Sequence, residues 1–177
     1  MTPTLSTADL TLREFTPEDA PFILRLVNEP LFLRFIGDRG VRTLDQARSY
    51  LCDGPIKSYA LHGHGLLHVA RRDHTPIGMC GLLRRDTLDA PDLGFAFVPE
   101  AHGRGYARQA AIAVLRDAEE RLGITRVLAI TSVDNAASVR LLLTLGFAES
   151  GRIRHGAALE ELRAFEWRFE AGPPRGP

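Results

Sequence analysis

The sequence predicts a single domain of the mixed α/β (α+β) class, and three observations support this class. Segments that alternate apolar and polar residues, as strands do, are interspersed with segments whose apolar residues have helical spacing. The clearest helical stripe follows a glycine-rich turn. No repeat and no change of composition marks a second domain. We therefore expect one domain over residues 1–170 and a disordered tail over 171–177, which has almost nothing apolar to bury.

The first elements are a strand and a helix. Residues 10–15 (LTLREF) alternate apolar and polar side chains like a half-buried strand. Thr16 then fits the N-cap position and Pro17 the first helical position. These signals predict a helix that runs to about Asn28.

A second helix begins at a capping-box pattern. Thr43 is followed three residues later by Gln46, and we expect the helix to end near Asp53. The segment 30–42 between the two helices predicts a short helix plus a loop. Residues 53–65 carry no clear periodicity and are expected to be irregular.

The rest of the chain alternates strands and helices. A long helical stripe covers 107–122 and is closed by Gly123, and another helix runs from Asp134 to Gly146. The polar segment 72–76 predicts a hairpin. The expected strands are 66–72, 77–84, 92–98, 126–132, 147–153 and 162–169.

Composition restricts the partners. The 177 residues are 45% apolar and 25% charged, with 22 basic against 22 acidic side chains. This is enough chain for a sizeable core, and a chain without net charge is not expected to bind nucleic acid. No apolar run approaches the ~18 residues that cross a bilayer, so no membrane partner is expected. Cys52 and Cys80 are too few for a disulfide framework, and we expect reduced thiols and a cytoplasmic location.

The glycine-rich turn between the strand 92–98 and the helix 107–122 predicts an anion site. Free N–H groups at a helix start lie where the helix dipole is positive. Gly103 and Gly105 let a pyrophosphate approach the backbone, and Arg104 or Arg108 adds charge. The turn lacks the Gly-Lys-Ser/Thr of a nucleoside triphosphate loop and the third glycine of a dinucleotide fingerprint.

The surrounding residues resemble the acetyl-coenzyme A motif of the GNAT superfamily of N-acetyltransferases. That motif is Gln or Arg, two variable residues, Gly, one variable residue, then Gly or Ala. Here His102, Gly105 and Ala107 stand at the three specified places. His102 departs from the pattern, but the family uses this loop mainly through backbone amides.

A second match lies downstream. Asn135-Ala136-Ala137-Ser138, with Gly146-Phe147 after the helix, is similar to the family's Asn-x-x-Ser motif. Together with Leu12-Arg13 and Asp19-Ala20, the pattern resembles the RimJ/RimL branch, which acetylates protein N-termini and assorted small amines.

The resemblance implies a mixed, strongly twisted sheet of six to seven strands flanked by helices. Its parallel strands 92–98 and 127–132 would splay apart, and acetyl-CoA would lie in the wedge between them as co-substrate. By analogy, main-chain groups near Phe97 and Val98 pair with the pantetheine arm. The amides of the loop would hold the pyrophosphate, and two residues of the second motif would line the cofactor near the thioester. The implied cofactor-binding residues are Phe97, Val98, His102, Gly103, Arg104, Gly105, Tyr106, Ala107, Asn135 and Ser138.

The expected catalytic residues depart from the family pattern. Many members use a tyrosine as the acid for the leaving thiolate, four residues before the position of Gly146, and Leu142 stands there. We expect Ser138 to help the thiolate leave, directly or through water. Asp92 and Glu161 are candidates for the base that deprotonates the amine, Asp92 through a water relay. The alternative for both carboxylates is a solvent-facing position at the end of a strand.

The resulting prediction is an enzyme that acetylates a primary amine by direct attack. The alternative is a catalytically weak or inactive CoA-binding module, which the leucine at position 142 favours. We expect no metal site, because no Asp, Glu or Cys cluster accompanies His62, His64 and His68. Exposed strand edges suggest a homodimer.

Overall fold

The computed structural model describes residues 3–155 and 159–169, in which the backbone forms eight strands. The tail expected to be disordered, 171–177, lies outside the described residues. The strands are β1 (Leu5–Ser6), β2 (Leu10–Arg13), β3 (Leu66–Arg71), β4 (Pro76–Leu83), β5 (Asp92–Phe97), β6 (Arg126–Ser132), β7 (Ala148–His155) and β8 (Glu160–Arg168).

Six α-helices accompany the strands in the same part of the chain. They are α1 (Ala20–Leu26), α2 (Pro30–Phe35), α3 (Leu44–Leu51), α4 (Lys57–His62), α5 (Tyr106–Glu120) and α6 (Ala136–Thr144). None of the helices in the described ranges has the length and apolar character that crossing a bilayer requires.

All strands belong to one mixed sheet in the order β1-β2-β3-β4-β5-β6-β8-β7. Every neighbouring pair is antiparallel except β5 and β6, which run parallel. The mixed sheet flanked by helices confirms the expected fold class, with one more strand than expected. The additional strand, β1, has only two residues and is too short to show the alternation by which strands are recognised in a sequence.

The sheet is covered on both faces. Consecutive residues from Ile77 to Leu82 of β4 are buried, which requires packing on both sides of the strand. Helix α5 packs against β2, β4 and β5 through a buried stripe of small and branched residues. That stripe consists of Ala110, Ala111, Val114, Leu115 and Ala118.

Local signals determine most helix starts. The Thr43 hydroxyl accepts a hydrogen bond from the Gln46 N–H at 3.2 Å, and the Gln46 side chain accepts one from the Thr43 N–H at 3.1 Å. This confirms the capping box. The helix expected from Pro17 begins with a 3-10 turn before α1.

The expectation of irregular structure over 53–65 is wrong. Residues Cys52–Ile56 form a π-helical turn that joins α3 to α4 almost without interruption. Pro55 lacks an N–H and normally breaks an α-helix, so its presence hid this helix from sequence reasoning. In the structure Pro55 is buried within the wider π turn. The helix ends at Gly63, whose φ of +71° is the left-handed conformation of a C-terminal cap.

Candidate functional site

The parallel strands β5 and β6 are joined at only one register position. Asp92 lies opposite Leu128, and the Leu128 N–H donates to the Pro91 carbonyl at 2.9 Å. Beyond this pair the strands separate toward Phe97 and Ser132 and leave a wedge. The splay expected between 92–98 and 127–132 is therefore present, with its apex at Asp92.

The edge of β5 presents unpaired backbone to the wedge. The Val98 N–H donates to Ile77 of β4 at 2.9 Å, so the backbone groups of Phe97 and Phe95, which alternate with it, face away from β4. The Val98 carbonyl accepts from the Ala101 N–H at 3.0 Å. Both main-chain groups of Val98 are thus engaged within the chain. At Phe97 the N–H is the backbone group left to pair with a ligand in the wedge, because the Phe97 carbonyl accepts from His102.

The loop after β5 begins at His102. Its N–H donates to the Pro99 carbonyl at 3.1 Å and closes a 3-10 turn, so this amide is not available to a ligand. Its ring nitrogen Nε2 lies 3.0 Å from the Phe97 carbonyl oxygen, to which it donates. The side chain at the position where His102 departs from the family pattern therefore ties the loop to the strand end.

The loop continues with free amides. In the described part of the chain, no hydrogen-bond partner is found for the five consecutive N–H groups from Gly103 to Ala107. Gly103 and Gly105 have φ of +71° and +74°, and a Cβ added at either would meet nothing within 4 Å. Glycine is required there by the backbone conformation, and the space in front of the amides is open.

Helix α5 begins at this loop. It has 15 residues, Gly105 is its N-cap, and no side chain caps its first turn. Arg104 and Arg108 are exposed beside it, and the Arg104 Nε donates to the Glu100 carbonyl at 3.3 Å. Unpaired amides, the helix dipole and two guanidinium groups together fit a pyrophosphate.

The far side of the wedge is the start of α6. Asn135 is its N-cap, and the Asn135 side chain accepts from the Ser138 N–H at 3.1 Å. Ser138 is half-buried in the first turn of the helix. Leu142, at the position of the family's tyrosine, has no hydroxyl to act as an acid. Its side chain is 1% exposed and belongs to the core.

Helix α2 borders the same end of β6. The Ser132 hydroxyl donates to the Phe35 carbonyl at 3.1 Å, and Arg34 forms an ion pair with Asp134 at 2.9 Å. These contacts join segments about 100 residues apart, so no local pattern predicts them.

Asp92 is buried instead of solvent-facing. It is 1% exposed, and the Arg85 Nε donates to both carboxylate oxygens at 3.0 and 3.1 Å. Burial raises the pKa of the Asp92 carboxyl, an effect that the Arg85 charge opposes. His155 completes this cluster, since its Nε2 lies 3.3 Å from the Arg85 Nη1 and its Nδ1 lies 3.2 Å from the Thr87 hydroxyl.

Chemistry determines the tautomer of His155. A guanidinium can only donate, so Nε2 accepts from Arg85 and the ring proton resides on Nδ1, where it faces Thr87. Arg85 and His155 were missed as site residues because they are 70 positions apart and meet only in the fold.

Glu161, the other candidate base, is not part of the Asp92 cluster. Glu161 is exposed on β8 and pairs with Arg152 at 2.6 Å. The described residues include no contact between Glu161 and Asp92. Across the same ranges, no group of three or more His, Cys, Asp or Glu side chains is arranged to hold a metal.

Comparisons with known proteins agree with this geometry. The family described as Acetyltransferase (GNAT) domain matches residues 9–148, a range that includes the wedge, the glycine loop and α6. The chain is 29% identical over 162 residues to a Bacillus subtilis (strain 168) protein named Uncharacterized N-acetyltransferase YoaA, covering 87% of this chain and 88% of the relative.

Solved structures share the fold. An acetyltransferase from Agrobacterium tumefaciens str. C58 has a TM-score of 0.81 and 24% identity, with 96% of both chains covered. RimL, a ribosomal L7/L12 alpha-N-protein acetyltransferase solved in complex with coenzyme A, has a TM-score of 0.84 and 17% identity, with 96% of this chain and 100% of RimL covered.

The residues present fit the co-substrate of this family. The unpaired edge of β5 suits a chain of amides such as pantetheine, and the free amides of the loop suit a pyrophosphate. The chain belongs to the GNAT family and is an acetyl-CoA-dependent acetyltransferase.

Proposed function

We propose that the protein transfers the acetyl group of acetyl-CoA to a primary amine by direct attack in a ternary complex. The observation that carries this proposal is the wedge between β5 and β6, which opens beside five free loop amides. A direct reaction needs only that the wedge hold the thioester and that the amine reach it at the apex.

The proposed contacts with acetyl-CoA use backbone groups that have no hydrogen-bond partner within the described chain. The N–H of Phe97 pairs with the pantetheine arm, since its carbonyl already accepts from His102. The amides from Gly103 to Ala107 hold the pyrophosphate, with Arg104 adding charge. Asn135 and Ser138 line the opposite wall. Val98 and the His102 amide are left out of these contacts because their hydrogen bonds are made within the chain.

The proposed proton transfers use two sites. Ser138 assists departure of the thiolate, whose pKa near 8.5 in a free thiol makes it a tolerable leaving group without a strong acid. Asp92 accepts the amine proton through water, because Arg85 occupies both of its oxygens. Burial, which raises the pKa of Asp92, makes it a better base. Glu161 is the second candidate, and its partner Arg152 must then release it.

The class of amine acceptor is proposed from the names of the similar solved structures. RimL acts on the N-terminus of ribosomal L7/L12, and another similar structure is a ribosomal-protein-S5-alanine acetyltransferase from Vibrio fischeri. These names favour a protein N-terminus of the RimJ/RimL type over a small amine. The cytoplasmic location and the homodimer stay predictions from the sequence.

The test is release of free coenzyme A thiol by the purified chain. Acetyl-CoA at about 100 times its Kd adds about 2.7 kcal/mol to the folded state, so the thermal midpoint should first rise by several degrees. A panel of peptides with free N-termini and of small amines then follows. Thiol release that depends on one of these amines supports the proposal, whereas tight binding without release on any amine favours a CoA-binding module.

A further inference from the structure

Arg85 has a hydrogen-bonding arrangement that an ordinary ion pair does not explain. A guanidinium has five N–H donors and usually meets a carboxylate through two parallel hydrogen bonds. Here the single Nε–H is shared by both oxygens of Asp92. The outer edge of the guanidinium, formed by its two Nη groups, is consequently turned away from Asp92.

The outer edge is only partly used. One Nη1 hydrogen reaches His155, and no hydrogen bond of Nη2 is found among residues 3–155 and 159–169. The Arg85 side chain is 28% exposed, whereas Asp92 is 1% exposed. A buried carboxylate therefore fixes a guanidinium whose donors remain directed outward, which is how a protein prepares an anion site without paying for ordering at the time of binding.

The cluster lies where the acceptor has to arrive. Asp92 forms the apex of the wedge, and the wide end of the wedge is the side of the glycine loop and its anion site. A pantetheine arm that enters from the loop leaves the apex as the place from which an amine can reach the thioester.

The guanidinium groups of Arg39 and Arg85 both act on Tyr50 of α3. Burial raises the pKa of Tyr50, and the two positive charges oppose that rise. In the described chain the one hydrogen bond of the Arg39 guanidinium goes to a carbonyl, that of Ile36 at 3.5 Å. Asp89, on the same loop as Arg85, is paired with Arg126 at 2.9 Å.

We propose that Arg85 binds a carboxylate of the amine acceptor through its outer edge. The acceptor is accordingly an amine that carries an acidic group, either a free amino acid or the N-terminus of an acidic peptide. A planar carboxylate matches the two Nη groups, as in bidentate arginine recognition. This inference rests on the proposed acetyl transfer and specifies its acceptor.

The test compares acceptors in matched pairs. Each amino acid is paired with its amide, and each peptide with Asp at its second position is paired with the Asn peptide, so that the amine is unchanged. We expect the carboxylate member to have a kcat/KM at least about tenfold higher in the native protein. Preference in the first pair alone identifies an amino acid, and preference in the second pair alone identifies an acidic peptide.

Variants at two adjacent arginines then locate the effect. Arg85→Gln should abolish the preference by lowering the rate of the carboxylate member more than that of its partner. Arg84→Gln is the matched control, since Arg84 is exposed and outside the cluster, and it should keep the preference. Equal rates within both pairs in the native protein, or a preference that survives Arg85→Gln, would overturn the inference. A stronger preference for phosphorylated amines would also contradict the carboxylate assignment.

Removal of Arg85 leaves a buried carboxylate unpaired, so Arg85→Gln could fail to fold. Arg85→Lys keeps the charge, loses the planar edge and should reduce the preference.

A binding assay separates this inference from the proposed function. With coenzyme A present, N-acetylated amino acids or acidic peptides should raise the thermal midpoint more than their amides do. If no amine releases thiol but this difference persists, acetyl transfer fails while the carboxylate site stands. If an amine releases thiol but acids and amides raise the thermal midpoint equally, only the proposed carboxylate site is refuted.

Discussion

The Nε2 of His102 lies 3.0 Å from the carbonyl oxygen of Phe97, and this contact joins the end of β5 to the glycine loop that follows it. Phe97 is the residue whose backbone faces the wedge, and His102 precedes the free amides. One side chain thus sets the distance between the two places where acetyl-CoA is proposed to bind.

His102→Ala should weaken coenzyme A binding about fivefold, because a hydrogen bond that orders the loop contributes about 1 kcal/mol. His102→Gln should restore most of the affinity, since a glutamine amide can donate to the same carbonyl. Titration calorimetry measures both values. His62→Ala, at an exposed histidine of α4, is the control; equal affinities for all four proteins would exclude an ordering role for His102.

Gly105→Ala should lose most of the stabilisation that acetyl-CoA gives. Its φ of +74° costs an alanine about 1 kcal/mol, and the added methyl group lies in the open space before the amides. Gly123→Ala is a matched control, with φ of +64° and an equally open Cβ position beyond the other end of α5. Both variants should have lower thermal midpoints, but only the Gly105 variant should respond less to the ligand. A full response in both would place the pyrophosphate elsewhere.

Ser138→Ala should lower kcat by at least about tenfold if the hydroxyl assists the leaving thiolate. The affinity for coenzyme A should change little, because the hydrogen bond to Asn135 is made by the Ser138 backbone N–H and survives the substitution. Steady-state kinetics with saturating acetyl-CoA give the answer, and Ser49→Ala on the exposed side of α3 serves as control. An unchanged kcat would remove Ser138 from the reaction.

His68 should make the protein sensitive to acid. Burial lowers the pKa of His68 to about 4; the side chain is 5% exposed and packed edge-on against Phe15 and Phe22. An unfolded histidine has a pKa near 6.5, so the neutral ring contributes stability that is complete above that pH and is lost as the pH falls toward 4. The loss should reach up to about 3 kcal/mol.

Urea unfolding between pH 7.5 and 4.5 measures this dependence. His68→Leu should unfold with a smaller loss over the same range, because leucine does not titrate. His62→Ala should behave as the native protein does. An identical pH dependence in native protein and His68→Leu would assign the acid sensitivity to other groups, such as the nearby Asp19, which lies 3.9 Å from the imidazole.

The sequence predicted the features that depend on neighbours along the chain. The capping box of Thr43 and the glycines at 103 and 105 are local patterns, and the structure contains the expected helix and turn at each. The π-helical turn at Pro55 escaped because tertiary burial outweighs the local preference of proline. The Arg85, Asp92 and His155 cluster escaped because its members are brought together only by the folded sheet.

The single backbone pair between Asp92 and Leu128 divides the eight-stranded sheet into two hydrogen-bonded halves. Strands from β1 to β5 form one half, and β6, β8 and β7 form the other. A ligand that pairs with the free edge of β5 takes the position of a missing strand and bridges the halves. With acetyl-CoA bound as proposed, the co-substrate is a structural component as well as a reactant, and each turnover removes and restores the link between the two halves of the sheet.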